Sequence, residues 1–244
     1  MAVRTEHDDQ QTDAPVPPRP RRRGVVAGVV SVIGELLITV GLVLGLFVVY
    51  SLWWTNVIAD REAAKDGKDV RRDWANTGPG ALDTKGGIGF LHVPAMKNGE
   101  VLVKRGTDTK VLNGGVAGYY TDPLKAALPE SGTKGNFTLA AHRDGHGAKF
   151  HNIDRIRTGD PIVFETKGTW YVYKAFAELK ETSKYNVDVL KPVPEESGAK
   201  KPGHYITLTT CTPVYTSDYR YIVWGELVRT QKVDEKRTKP VELR

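Results

Sequence analysis

Polar and apolar positions divide the chain into segments of different character. From Gly24 to Trp54 the sole formal charge is Glu35, and from Leu36 onward only Tyr50 is ionisable in a run of Leu, Ile, Val, Phe, Gly and aromatic residues. About 20 mostly apolar helical residues cross roughly 30 Å of hydrocarbon, so residues 24–54 predict one transmembrane anchor. Tyr50, Trp53 and Trp54 stand at its end, where an interfacial aromatic belt would lie. A cleaved signal peptide is the alternative. The apolar run is much longer than a typical signal h-region and no small-x-small triplet comes after it, so the anchor is read as uncleaved. Glu35 is read either as lying just before a true span that starts at Leu36 or as a carboxyl protonated near the interface.

After this run the pattern changes to short β-branched and aromatic stretches separated by Gly, Pro, Asn and Asp. Ile88 to Val93, Val101 to Lys104, Asn136 to Ala141, Pro161 to Glu165, Trp170 to Leu179, Tyr205 to Cys211 and Tyr219 to Val228 all read as strands. Seven or eight strands with one brief helical turn, placed at Pro123 to Ala127, predict a mostly antiparallel β-barrel or sandwich rather than βαβ units. The expected organisation is a disordered cytosolic tail over 1–23, the anchor over 24–54, a stalk over 55–87, one catalytic domain over 88–233 and a charged tail over 234–244. The stalk is predicted helical through Trp74, with Thr77-Gly78-Pro79-Gly80 ending the helix.

Composition narrows the function classes. The 244 residues carry 35 Lys and Arg against 29 Asp and Glu, a net +6, with 40% hydrophobic and 26% charged residues, which excludes collagen-like, wholly disordered and polytopic membrane chains. The basic residues are scattered rather than interleaved with aromatics, so no nucleic acid partner is expected. Membrane lipid is an expected partner through the anchor. Arg19, Arg21, Arg22 and Arg23 precede the span, while Arg61, Lys65, Lys68, Arg71 and Arg72 lie beyond it among acidic residues. Charge alone therefore gives only a modest preference for an inside N-terminus.

Candidate chemistry concentrates at two strand ends. Alternation in the strand ending at His142 puts Phe137, Leu139 and Ala141 on one face and Thr138, Ala140 and His142 on the other. In Tyr205 to Cys211 it turns Ile206 and Leu208 toward the core and Thr207, Thr209 and Cys211 away from it. The lone thiol, which can form no internal disulfide, thus also ends a strand on a polar face. A hairpin return through Tyr219-Arg220-Tyr221 would bring Arg220 back beside Cys211. A lone Cys is more often packing than nucleophile, but thiol, imidazole and guanidinium together are what thiol acyl transfer requires: nucleophile, acid-base group and oxyanion donor. A zinc site built from His142, His146, His151 and Cys211 fits a Gly-rich loop with no second cysteine poorly. No metal or cofactor is expected.

Thr207-Leu208-Thr209-Thr210-Cys211-Thr212-Pro213, with Arg220 nine residues after the Cys in Asp218 to Leu227, resembles the signature of the sortases. Gly135 to Arg143 resembles the segment that holds the sortase His, and Phe150-His151-Asn152-Ile153 with Gly159-Asp160 resembles the stretch of a sortase just past that His. The resemblance covers about residues 88–229. It implies the eight-stranded sortase β-barrel on the outer face of the membrane. It implies Cys211 as nucleophile, His142 as acid and base and Arg220 as transition-state donor. The implied reaction is cysteine transpeptidation, which cleaves a C-terminal sorting signal between Thr and Gly through a thioester and joins the protein to a peptidoglycan precursor amine.

Within the family the chain looks most like class E, which implies a preference for Leu-Ala-x-Thr-Gly over Leu-Pro-x-Thr-Gly, with Tyr120 and Thr210 as substrate-binding residues. Ala141, where a Gly is common, and the loop Asp144-Gly145-His146-Gly147 depart from the family pattern. An L,D-transpeptidase is a weaker fit, because its Ser-x-Gly-Cys context with a directly following Arg is absent. A non-catalytic wall anchor with an inert thiol is the third reading.

Overall fold

Strand alternation builds the folded part of this chain. Phe137, Leu139 and Ala141 from one strand and Ile206 and Leu208 from its neighbour all enter a single buried cluster, as their parity predicts. The structure is a computed structural model and describes residues 24–77 and 86–244. The disordered tail expected over 1–23, and the Gly78-Pro79-Gly80 part of the expected helix stop, lie outside the described residues.

Eight strands close into a barrel: β1 (Gly89–His92), β2 (Glu100–Arg105), β3 (Ala117–Tyr119), β4 (Gly135–Ala140), β5 (Pro161–Glu165), β6 (Thr169–Ser183), β7 (His204–Thr212) and β8 (Tyr219–Lys232). Around the wall they run β1-β2-β3-β4-β7-β8-β6-β5, and β5 pairs back onto β1. The β2–β3 and β4–β7 contacts are parallel and the others antiparallel. Among the described residues the closed sheet therefore has no first or last strand. The interior is filled by side chains such as Phe137, Phe164, Ile206 and Val223.

One predicted element is corrected. Residues 123–127 form no helix; Ala126 N–H donates to Tyr120 O at 3.0 Å and Ala127 N–H to Asn136 O at 3.0 Å, so this stretch runs along the barrel wall. A single helical turn, α3 (Thr109–Leu112), forms instead where Asp108 caps it, its side chain accepting from Val111 N–H.

The residues expected as the anchor form helix α1 (Val25–Val49), largely exposed along its length and long and apolar enough to cross a membrane. A π-helical stretch, Tyr50–Trp54, leads to α2 (Thr55–Asn76). The predicted stalk helix therefore forms, but as part of the fold rather than a free spacer. Ala59, Ala63, Gly67 and Val70 make a buried stripe along it, of which Ala63 and Val70 pack with Phe90 and Leu102 of the barrel and with Val116. Arg71 lies over the Phe90 ring at 4.1 Å from its centroid.

Arg71 also bonds Glu165 of β5 at 3.0 Å, and His92 of β1 bonds the same carboxylate at 2.9 Å. The segment expected as a charged tail supplies Arg237, whose Nη2 donates to Glu165 at 2.6 Å, and Leu243, which packs near Val163, Trp170 and Val172. Burial would push the Glu165 carboxyl up, but the hydrogen bonds from His92, Arg71 and Arg237 prevail and hold it at about 2. Charge pairing and apolar contacts thus dock both flanking segments onto the barrel.

Candidate active site

Strand register positions the first two candidate residues. In the antiparallel β7–β8 ladder, Cys211 stands directly opposite Arg220. Opposed residues of such a pair show their side chains on one face, with Cβ atoms about 4.5–5.5 Å apart. Cys211 is partly exposed. The Arg220 guanidinium is braced by its own turn, Nη1 donating to Ser217 O at 3.1 Å and Tyr219 O at 2.9 Å.

The third residue arrives from the other side of β7. Strand β4 runs parallel to β7 with Ala140 opposite Thr209, and Ala141 N–H donates to Thr209 O at 3.3 Å, so His142 emerges level with the end of β7 that carries Cys211. Its Nε2 lies 2.8 Å from Asn113 Oδ1. An amide oxygen can only accept, so Nε2 carries the proton of the neutral ring and Nδ1 is the basic nitrogen. Burial lowers the proton affinity of His142, repulsion from a positive charge on the nearby His146 ring acts in the same direction, and Asp144 acts in the opposite direction.

Arg143 locks the two strand ends together. It is buried, and its Nη1 donates to Thr212 Oγ1 at 2.9 Å and to Cys211 O at 3.4 Å, while its guanidinium lies 5.5 Å from the Tyr221 ring centroid. Tyr120 shares the outer face: its hydroxyl is 3.0 Å from Thr209 Oγ1, and Thr209 has the same parity as Cys211. Burial raises the Tyr120 phenol pKa, and the hydrogen bond to Thr209 lowers it. The phenol is also subject to the Arg220 charge, which lowers it, and to Cys211, which raises it.

Thr210 does not join this face. With Ile206 and Leu208 it has the opposite parity, it is buried, and its hydroxyl donates to Ala141 O at 2.7 Å. Its contact holds the backbone just before His142. Asn113, Arg143, His146 and Thr209 were not singled out for these positions by the sequence. Only Thr209 was legible there, as the residue two before Cys211 on a strand. His142, Cys211 and Arg220 therefore converge at one end of β4, β7 and β8, with Tyr120 and Thr209 alongside. A nucleophilic thiol, an imidazole able to exchange a proton and a fixed cationic donor suit acyl transfer.

Residues 91–228 match the sortase domain family. The chain belongs to the sortase family. It is 69% identical over 250 residues to sortase SrtE2 of Streptomyces coelicolor, covering 98% of each chain, and 45% identical to sortase SrtE1 of the same organism over 86% of this chain and 60% of that one. Among solved structures, sortase E1 of S. coelicolor, with a tripeptide in its active site, superposes with a TM-score of 0.61 at 46% identity, covering 64% of this chain and 96% of that chain. Sortase E of Streptomyces avermitilis gives a TM-score of 0.57 at 34% identity, covering 65% and 97%. Sortases are cysteine transpeptidases, and this sortase is class E-like. The eight-stranded barrel expected from the resemblance is the observed fold.

Proposed function

We propose that this sortase cleaves a Leu-Ala-x-Thr-Gly-like C-terminal sorting signal between Thr and Gly, with Cys211 as nucleophile, His142 as general acid and base and Arg220 as the donor to the oxyanion. The Cys211 thiol gives its proton to His142 as its sulfur attacks the Thr carbonyl, and the carbonyl oxygen takes negative charge beside the Arg220 fork. His142 protonates the departing Gly nitrogen as the C–N bond breaks, leaving a thioester. An amine of a peptidoglycan precursor then attacks that thioester. His142 takes the amine's proton and returns it to the sulfur as the C–S bond breaks, which restores the thiol.

The observation that carries this reading is the register pairing of Cys211 with Arg220, because it sets a permanent cation beside the one thiol of the chain. The tripeptide in the active site of S. coelicolor sortase E1 supports a peptide ligand for the corresponding face. In the same reading Tyr120 contacts the signal, residues 88–233 act as the catalytic domain on the outer surface, and α1 is a single-pass anchor whose N-terminus is cytoplasmic. The partners are secreted proteins bearing the signal and the peptidoglycan amine.

A panel of five-residue signals offered to the full chain in detergent micelles tests the proposal, scored for cleavage and for transfer to amines. Cleavage between Thr and Gly with transfer to an added amine is the expected result. Hydrolysis at another bond, or no selectivity among the signals, contradicts it.

A further inference from the structure

The loop after His142 is held in an unusual backbone conformation. Four successive residues have positive φ: Gly145 at 63°, His146 at 44°, Gly147 at 81° and Ala148 at 40°. Glycine adopts this region freely, but for His146 and Ala148 it is unfavourable, and such backbone persists only where surrounding contacts over-determine it. Those contacts come from three directions. Gly147 N–H donates to Asn56 Oδ1 of α2 at 2.8 Å, and Lys149 Nζ bonds Asp60 of α2 at 2.7 Å. Tyr215 N–H, in the β7–β8 turn, donates to Asp144 Oδ2 at 2.6 Å. Phe150 N–H donates to His142 O at 3.0 Å, closing the loop on the strand end that carries the imidazole.

The result of this bracing is a ring placed against a ring. His146 lies with its centroid 5.4 Å from that of His142, the planes inclined by 34°. Asn113 holds Nε2 of His142 from another loop, which continues into Gly115, whose left-handed backbone (φ +69°) lies where any Cβ would meet Ala59 O of α2 at 2.7 Å. His142 is thus confined between an amide acceptor and a second imidazole, and both confining loops rest on α2.

We propose that His146 is a positioning residue for transpeptidation, packing on His142 to keep that imidazole aimed at the Cys211 end of β7, with α2 fixing the loop that presents it. The inference rests on the acid-base assignment of His142 above. The contact leaves an electrostatic mark: the charges acting on His142 are His146, which disfavours a second imidazolium, and Asp144, which favours it. Around the same loop stand His151, the Lys149–Asp60 pair and, at the strand ends, Arg143, Cys211 and Arg220. Removing His146 takes away both its repulsion and its share of the burial, so the His142 midpoint moves upward. Replacing it with Phe keeps the ring contact and the burial and removes only the repulsion.

The test uses the full chain in detergent micelles with 13C-labelled histidine, the His142 resonance being assigned by its loss in His142→Gln. In His146→Ala, kcat should fall about two- to tenfold, the scale of one ring–ring contact, with KM little changed and the His142 midpoint raised. His146→Phe should recover most of kcat with a midpoint between the two. Should the Ala variant fail to fold, His146→Gln carries the same two readings. Either an unchanged kcat or an unmoved His142 midpoint in the ring-less variant overturns the proposal. Turnover retained by His142→Ala would instead refute the acid-base assignment, while the effect of His146 on the His142 midpoint stays readable in the wild type and the His146 variants.

Discussion

Cys211 and Arg220 are direct partners across the β7–β8 ladder, so the thiol and the guanidinium reach the same face by strand register and by no loop geometry. Backbone hydrogen bonding along the ladder fixes that relationship, and the turn contacts of Nη1 fix the fork. Arg220→Lys keeps the charge and loses the planar fork. If Arg220 holds the oxyanion by directed hydrogen bonds, kcat/KM for a signal peptide should fall by about 10² or more. A Lys variant within about threefold of wild type, well inside the range of one ordinary hydrogen bond, would reduce Arg220 to a point charge.

Tyr120 stands on that face with its hydroxyl on Thr209. An amide N–H that Ala leaves available in Leu-Ala-x-Thr-Gly is missing from the Pro signal, and the Tyr120 hydroxyl can accept it. Tyr120→Phe should therefore narrow the preference for the Ala signal by about three- to tenfold, one neutral hydrogen bond. Equal ratios of kcat/KM for the two signals in wild type and variant would remove Tyr120 from signal selection.

Thr210→Val separates a tether from a substrate contact. The hydroxyl is replaced by a methyl of similar size, leaving Ala141 O without its donor at a cost of about 1–3 kcal/mol. Chemical denaturation should show that loss, with KM for the signal unchanged. An unaltered stability together with a raised KM would show Thr210 as the substrate-binding residue that the class E resemblance implies.

Much of this arrangement was legible in the sequence, and the reason is periodicity. Alternation in β4 and β7 told which side chains face the barrel interior, and the short Pro213 to Asp218 turn forced Arg220 back to Cys211. The bond from Thr210 to Ala141 O was not foreseen, because strand parity tells which face a side chain takes but not which partner its hydroxyl finds. β3 escaped notice because three residues, Ala117–Tyr119, are too few to show a period. The docking of α2 was hidden by its small stripe of Ala59, Ala63 and Gly67, which reads as weakly apolar in the sequence although it is buried in the fold. His146 and Asn113 sit on loops, where no periodic rule relates sequence distance to spatial distance.

Glu165 gives a pH dependence with a definite sign. Its carboxyl sits at about 2 in the fold, below the ordinary value of 4.5. The stability it supplies is complete above the unfolded value and is lost as pH falls toward 2. The shift corresponds to about 3 kcal/mol as an order of magnitude. Denaturation midpoints should fall between about pH 4.5 and 2, and Glu165→Gln should be less stable than wild type at pH 7 with a flatter acid limb. Parallel acid limbs for the two proteins would contradict the role given to the Glu165 network.

The central claim is that Cys211 forms a thioester with the Thr of the sorting signal, and intact-mass measurement of the full chain mixed with a Leu-Ala-x-Thr-Gly peptide tests it most directly. The predicted result is a transient mass increase equal to the peptide up to and including Thr, discharged by hydroxylamine, mapped to Cys211 and absent in Cys211→Ala. Signal cleavage by Cys211→Ala, or an adduct mapped to any other residue, would contradict it.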